Sequence, residues 1–222
     1  MSIKLANELG KWCTGNISDA LVALGYQAVI HHDIRPIYTP INIAGRALTL
    51  KVERTKRKGD KMDVAQVAKE NCKPGDVVVI DCGGYRHGQS VNWGENSAVS
   101  CQVRGAVGMV IDGGCRDTRA LKSLKIPVFC RAISPGGLSG TLYTVDYNVP
   151  IVLGGIRVHP GDIVVGDDDG VCVIPQEIAE RALEVVKVYG EKDQAVAPAI
   201  RAGKSVAEAY ALKRDWKKIA GL

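Results

Sequence analysis

Two short stretches carry residue types that could act on a small molecule. They are Gly94-Glu95 and, after twenty intervening residues, Arg116-Asp117. The second closes the run VIDGGCRD (110–117), in which an apolar segment meets glycines and then an opposite-charge pair. Sequence neighbours are poorly placed to pair with each other, so Arg116 and Asp117 are each expected to face a partner elsewhere, structural or substrate. Glycine lets backbone approach a ligand closely. A helix starting near Glu95 would aim the free N–H groups of Asn96, Ser97 and their neighbours outward, and such an end attracts a carboxylate. Asp117 would itself open a helix, where a carboxylate is favoured as a cap. Cap or catalyst stays open at this level.

The elements that must position these residues follow from periodicity. SDALVALG (18–25) reads as a helix with Ser18 as N-cap and Gly25 beyond its end. INIAGRALTLKV (41–52) alternates as a strand, and MDVAQVAKENC (62–72) has helical spacing. KPGD (73–76) is a turn into VVVID (77–81), a continuous apolar run suited to a strand covered on both faces. The pattern repeats with a helix in 95–105, a strand in 106–112, a helix in 117–125 and a strand in 126–132. Such alternation predicts parallel pairing through right-handed crossovers. Residues 151–175 read as β-structure, and 176–192 and 205–219 as closing helices. KPGDVVVIDCGG (73–84) and HPGDIVVGDDDG (159–170) echo each other, either as a common turn or as matching entries into a layered β core. The expectation is a single α/β domain over 1–222, with a helical extension from about 190. In open α/β sheets ligands collect beyond the carboxyl ends of parallel strands. That places the loops CGGYRHGQSVNWGE and GGCRD at the site.

Composition narrows the function classes. The net charge is +5, with 46% hydrophobic and 24% charged residues, as in ordinary globular proteins. The basic runs RTKRKGDK (54–61) and KRDWKK (213–218) have few aromatics to stack bases, and aromatics are 5% of the chain. Solvated charge is expected rather than nucleic-acid binding. No apolar run reaches the roughly 18 residues of a membrane span, and the start is too polar for a signal peptide, which reads as cytoplasmic. Seven cysteines with no C-x-x-C pair argue against a zinc site or a disulfide framework. Cys115 beside Arg116 is a minor candidate for an activated thiol. His31-His32-Asp33 reads as surface chemistry rather than a metal site, and His87 as a phosphocarrier lacks supporting motifs. No G-x-G-x-x-G follows a strand, which disfavours a nicotinamide cofactor.

The ordered set of motifs resembles the 4-hydroxy-4-methyl-2-oxoglutarate aldolases and their non-enzymatic relatives, the regulators of ribonuclease activity A. The resemblance rests on Gly94-Glu95 with Arg116-Asp117, on ISDAL (17–21), PGDVVVID (74–81), IDGGCRD (111–117) and IPVF (126–129), and on PGDIVVGDDDGVCVIP (160–175). It spans about residues 14–190.

This likeness implies a swivelling β/β/α-type fold with a layered β core and flanking helices. It also implies a homotrimer, or a hexamer of two trimers, with the site near a subunit interface. The implied activity is that of a class II aldolase or decarboxylase cleaving 4-hydroxy-2-oxo acids or oxaloacetate to pyruvate with Mg²⁺ or Mn²⁺. Asp117 would hold the metal and Arg116 the pyruvyl group, while the amides near Gly94, Asn96 and Ser97 would take the substrate carboxylate. Glu95 stands where the family often has Asp, so it is expected to order water rather than bind metal directly. A neighbouring subunit would lend Glu184 or Glu191. The alternative implied is a regulator that covers a ribonuclease partner, which the positive net charge weakly disfavours.

Overall fold

A computed structural model describes residues 3–54, 63–83, 91–136 and 142–222. Its centre is a nine-stranded mixed sheet that curls into a nearly closed barrel, flanked by helices. The path runs β1 (Arg35–Pro36), β6 (Val128–Ile133), β5 (Gly108–Cys115), β3 (Asp76–Asp81), β2 (Ile43–Arg54), β10 (Ile163–Asp167) and β11 (Gly170–Ile174). β4 (Val91–Trp93) adds to β5, and β7 (Leu142–Tyr147) to β2. β8 (Ile151–Leu153) and β9 (Ile156–Val158) form a separate hairpin. The expected parallel pairs are present: β2 with β3, β3 with β5, and β5 with β6. Residues 28–30 pair with β11, through Ile30 N–H to Val171 and Val173 N–H to Ala28, and lead into β1, which drives the curl.

Period-two alternation sorts the strand side chains between two environments. Val77 and Val79 of β3, Val110 of β5 and Phe129 of β6 point into the barrel, where they meet Val164, Val171 and Val173. Phe129 is the chain's single phenylalanine, and the neighbouring strands make room for it. A Cβ on Gly166 would lie 2.8 Å from its ring. Val78, Ile80, Met109 and Ile111 point outward against α3 (Val64–Asn71), α4 (Glu95–Gln102) and α5 (Thr118–Ser123). A third cluster lies on the other side, where α1 (Ile3–Leu9), α2 (Thr14–Ala23) and α6 (Ala179–Gln194) cover β10 and β11. Strands buried on both faces are why these segments read as unbroken apolar runs.

The two Pro-Gly-Asp turns feed opposite sides of one strand. β3 and β10 both flank β2, the first parallel and the second antiparallel. In each turn the glycine is left-handed, with φ +81° at Gly75 and +87° at Gly161. In each, the aspartate takes the amide three residues back: Asp76 from Lys73 at 2.9 Å and Asp162 from His159 at 2.7 Å. Arg46 of β2 clamps Asp76 at 2.8 Å.

Several boundaries differ from the sequence reading. α2 starts at Thr14, so Ser18 lies inside it, while Gly25 does follow its end at φ +86°. The Thr14 amide and hydroxyl both bond Asp167, at 2.7 Å each, and this distant carboxylate anchors the start of the helix. Residues 205–219 form two short helices, α8 (Val206–Ala211) and α9 (Trp216–Ile219), after α7 (Val196–Arg201). This tail folds back on α6 through the Tyr189–Trp216 edge contact and the Lys213–Asp193 ion pair at 2.5 Å. Part of the second basic run is therefore docked rather than freely solvated. The first run, apart from Arg54, and His87 lie outside the described residues.

Candidate active site

β4 and β5 run parallel, with Trp93 opposite Cys115, so both chemical stretches leave the sheet side by side. The Arg116 amide bonds the Trp93 carbonyl at 3.0 Å and fixes the two exits relative to each other. Gly94 then precedes α4, and Asp117 precedes α5. A Cβ on Gly94 would lie 2.5 Å from Asp117 Oδ2 and 3.2 Å from Arg116 Cγ. The glycine is thus required by close approach, not by its backbone angle.

Asp117 does not serve as the side-chain cap of the helix it opens. It occupies the N-cap position of α5, but its side chain makes no capping bond there. Its backbone is left-handed (φ 60°, ψ 29°), which Asp tolerates better than most residues. The carboxylate instead accepts from the Glu95 amide at 3.2 Å, at the start of the neighbouring helix α4. A negative group is favoured there by the unsatisfied amides and the helix dipole. Oδ1 makes no hydrogen bond among the described residues, so one oxygen remains available to a ligand.

The expectation that Arg116 and Asp117 do not pair is corrected. Arg116 Nε lies 3.6 Å from Asp117 Oδ2, and both side chains are well exposed (38% and 43%). Such a pair is weak in solvent. Among the described residues the guanidinium has no other polar partner. A fork with unused donors beside a carboxylate with an unused oxygen can receive a small anion together with a cation.

The other expected residues divide. Glu95 is half-buried at the first turn of α4. Asn96 and Ser97 are the next two helix residues, so their amides lack intrahelical acceptors. Their side chains line a groove of about 460 Å³ against α3, with Gln66, Lys69 and Ser100. Glu184 and Glu191 both lie on the exposed side of α6, and Glu184 is already paired with Arg181 at 3.0 Å. α6 packs on α1 and α2, whereas the site stands beside α4 and α5.

The thiol candidate fails on chemistry. Cys115 is fully buried, and the adjacent Cys130 thiol together with burial pushes its pKa far up. Burial also raises Cys72 to about 11 and Cys101 and Cys172 to about 12. A thiol held protonated is a poor nucleophile.

The sequence reading missed a second polar region, at the barrel mouth. Asp81, Asp112 and Arg131 follow the inward-facing Val79, Val110 and Phe129 along β3, β5 and β6, and they line a cavity of about 540 Å³ with His31, Val152 and Gly154. Asp112 is buried, accepts from Arg131 Nε at 2.5 Å, and takes the Gly154 amide at 3.0 Å. The inward parity of Asp81 and Asp112 with Val79 and Val110 was available from the strand pattern. The curl that brings the strand ends to one mouth was not.

Comparison with known proteins gives the family and the fold. The RraA-like family (Aldolase/RraA) matches residues 14–173. A Halalkalibacterium halodurans protein provisionally named 4-hydroxy-4-methyl-2-oxoglutarate aldolase is 35% identical over 194 residues, covering 87% of each chain. Among solved structures, an uncharacterized protein from Pseudomonas syringae pv. tomato matches with a TM-score of 0.85 at 25% identity, over 95% of this chain and 94% of that one. Streptomyces coelicolor RraAS2, an unusual member of the RNase ES inhibitor RraA protein family, matches with a TM-score of 0.77 at 24% identity, over 86% of this chain and 95% of that one. With family match, fold and paired motifs in agreement, the chain belongs to the RraA-like family of aldolases and RraA proteins.

Proposed function

We propose that this protein is a divalent-cation-dependent carbon–carbon lyase that cleaves 4-hydroxy-2-oxo acids to pyruvate, with oxaloacetate as a second substrate. The observation that carries the reading is the junction of Gly94-Glu95 with Arg116-Asp117, which among the described residues leaves one carboxylate oxygen and one guanidinium fork without a hydrogen-bond partner. A lone carboxylate near a helix start suits Mg²⁺ or Mn²⁺, which keep several waters and need only one or two protein carboxylates. Asp117 is the residue that would hold the ion, and when bound the ion supplies Lewis-acid polarisation of the 2-oxo group.

The protein's own groups then have defined tasks. Amides of the first turn of α4, at Asn96 and Ser97, hold the substrate carboxylate. Breaking the C3–C4 bond leaves its electron pair on C3 as an enolate of pyruvate, and the C4 fragment departs as a carbonyl compound. Arg116 donates to the negative charge that develops on the 2-oxo oxygen, a contribution of about 3–4 kcal/mol for one well-placed donor. Glu95 takes the 4-hydroxyl proton through a water, and a proton returned to C3 gives pyruvate. Oxaloacetate loses CO₂ by the same enolate.

The exposed glutamates of α6 stand away from Asp117 in this chain. This fits a site completed by a neighbouring subunit in a closed trimer or hexamer. The test is pyruvate release with Mg²⁺ or Mn²⁺ against a panel of 4-hydroxy-2-oxo acids and oxaloacetate. No release above background from any of them would refute the lyase reading. The likeness to RraAS2 would then favour a ribonuclease-binding role.

A further inference from the structure

We propose that His31, His32 and Asp33 form a binding site for a borderline-soft divalent ion such as Zn²⁺, Ni²⁺ or Co²⁺ at the rim of the barrel-mouth cavity. This site is separate from Asp117. One ligand atom from each of the three residues falls within 4.8 Å of the others. The two imidazoles stack at 4.3 Å, and Asp33 approaches both, with Oδ2 3.4 Å from His31 Nδ1 and Oδ1 3.4 Å from His32 Nε2. Two nitrogens and one carboxylate oxygen select zinc-like ions over Mg²⁺, which prefers an all-oxygen shell.

The supports for this cluster are fixed rather than trailing. The His31 amide bonds Gly154 at 2.9 Å, and its carbonyl accepts from Ile34 at 3.0 Å. Arg131 Nη1 lies 3.4 Å from Asp33 Oδ2, while its Nε is held by buried Asp112. A hydrogen-bonded partner behind a ligating carboxylate is a usual feature of metal sites. The competing contact is the long 3.3 Å bond from the Asp33 amide to His31 Nδ1, which an ion would displace. Three protein ligands leave a coordination position open. His31 is also a wall of the 540 Å³ cavity, so a small oxygen-donor ligand seated there can complete the shell.

The experiment is calorimetric titration of untagged protein with ZnCl₂, NiCl₂ and CoCl₂. It uses a Cys13→Ser background, because Cys13 is the exposed thiol. One ion per chain is expected at this site. His32→Ala, whose side chain is 82% exposed and so is not needed for folding, should weaken that binding by on the order of a hundredfold. Asp33→Asn should weaken it less, and Asp117→Asn should leave it unchanged. Absence of saturable binding, or equal binding by His32→Ala, overturns the proposal. Loss of the ion in Asp117→Asn alone would also overturn it, by moving the ion to the other site. Failure of the lyase assay does not bear on it.

Discussion

The close approach at Gly94 gives a test that separates site geometry from folding. Gly94 has φ −160°, an extended angle that alanine adopts freely. The new methyl would sit 2.5 Å from Asp117 Oδ2, against about 3.4 Å for an ordinary contact. The carboxylate must therefore retreat by roughly an ångström, because a side-chain end moves more cheaply than backbone. Its bond to the Glu95 amide, already 3.2 Å long, would not survive that shift. One lost hydrogen bond of this kind is worth about 1 kcal/mol, or about 2–4 °C of melting temperature for a chain this size. A one-ångström misplacement of a catalytic group typically costs on the order of a hundredfold in rate. Gly94→Ala should thus melt within a few degrees of wild type, while kcat/KM for pyruvate release falls about a hundredfold in a lactate dehydrogenase-coupled assay. Unchanged turnover in the folded variant would refute the reasoning. A far larger loss of melting temperature would show that the backbone, not the carboxylate, yields.

Asp117→Asn should fold normally and lose divalent-dependent turnover, since the amide can still accept from Glu95 but carries no charge; activity at the wild-type level would remove Asp117 from the chemistry. Arg116→Lys should lower turnover by on the order of a hundredfold and weaken inhibition by oxalate, a flat enolate mimic, because the planar fork is lost while the charge remains. Equal oxalate inhibition of both proteins would assign Arg116 a structural role. Native protein should react rapidly with a thiol reagent at one cysteine per chain, Cys13, because the other six are buried. Fast reaction at Cys115 would contradict its burial.

The sheet order was legible where a strand is covered on both faces. VVVID and VGMVID announced themselves as apolar runs, and their parallel pairing followed from the helices between them. β5 running on to Cys115 was harder to read, because Asp112, Gly113 and Gly114, types that usually end strands, come just before its last residue. Gly114 keeps a ladder position opposite Val91 of β4 and Ala132 of β6, after an irregularity in the register between Ile111 and Gly114. β4 is three residues long, too short for periodicity to reveal. The meeting of Glu95 with Asp117 was reached through the family resemblance, not through spacing. The role of Asp117 at another helix's start depends on a left-handed angle that a local pattern cannot show. Residues 205–219 misled because helical composition persisted through a turn where Lys213 and Trp216 dock on α6.

The way β4 joins the sheet has a consequence for how the site opens. β3, at the centre, is held by ladders on both sides, whereas among the described residues β4 pairs with β5 alone. Breaking that one ladder separates Gly94 and Glu95 from Arg116 and Asp117 without disturbing the barrel interior around Phe129. Amide exchange should therefore fall into two tiers. The Val79 and Val110 amides would exchange only through global unfolding, and the Arg116 amide, bonded to Trp93, through a cheaper local opening. The Asp117 carboxylate and its helix-start partner thus sit on opposite sides of the seam that parts first. Any ligand that bridges them should raise the protection of Arg116 while leaving that of Val79 unchanged.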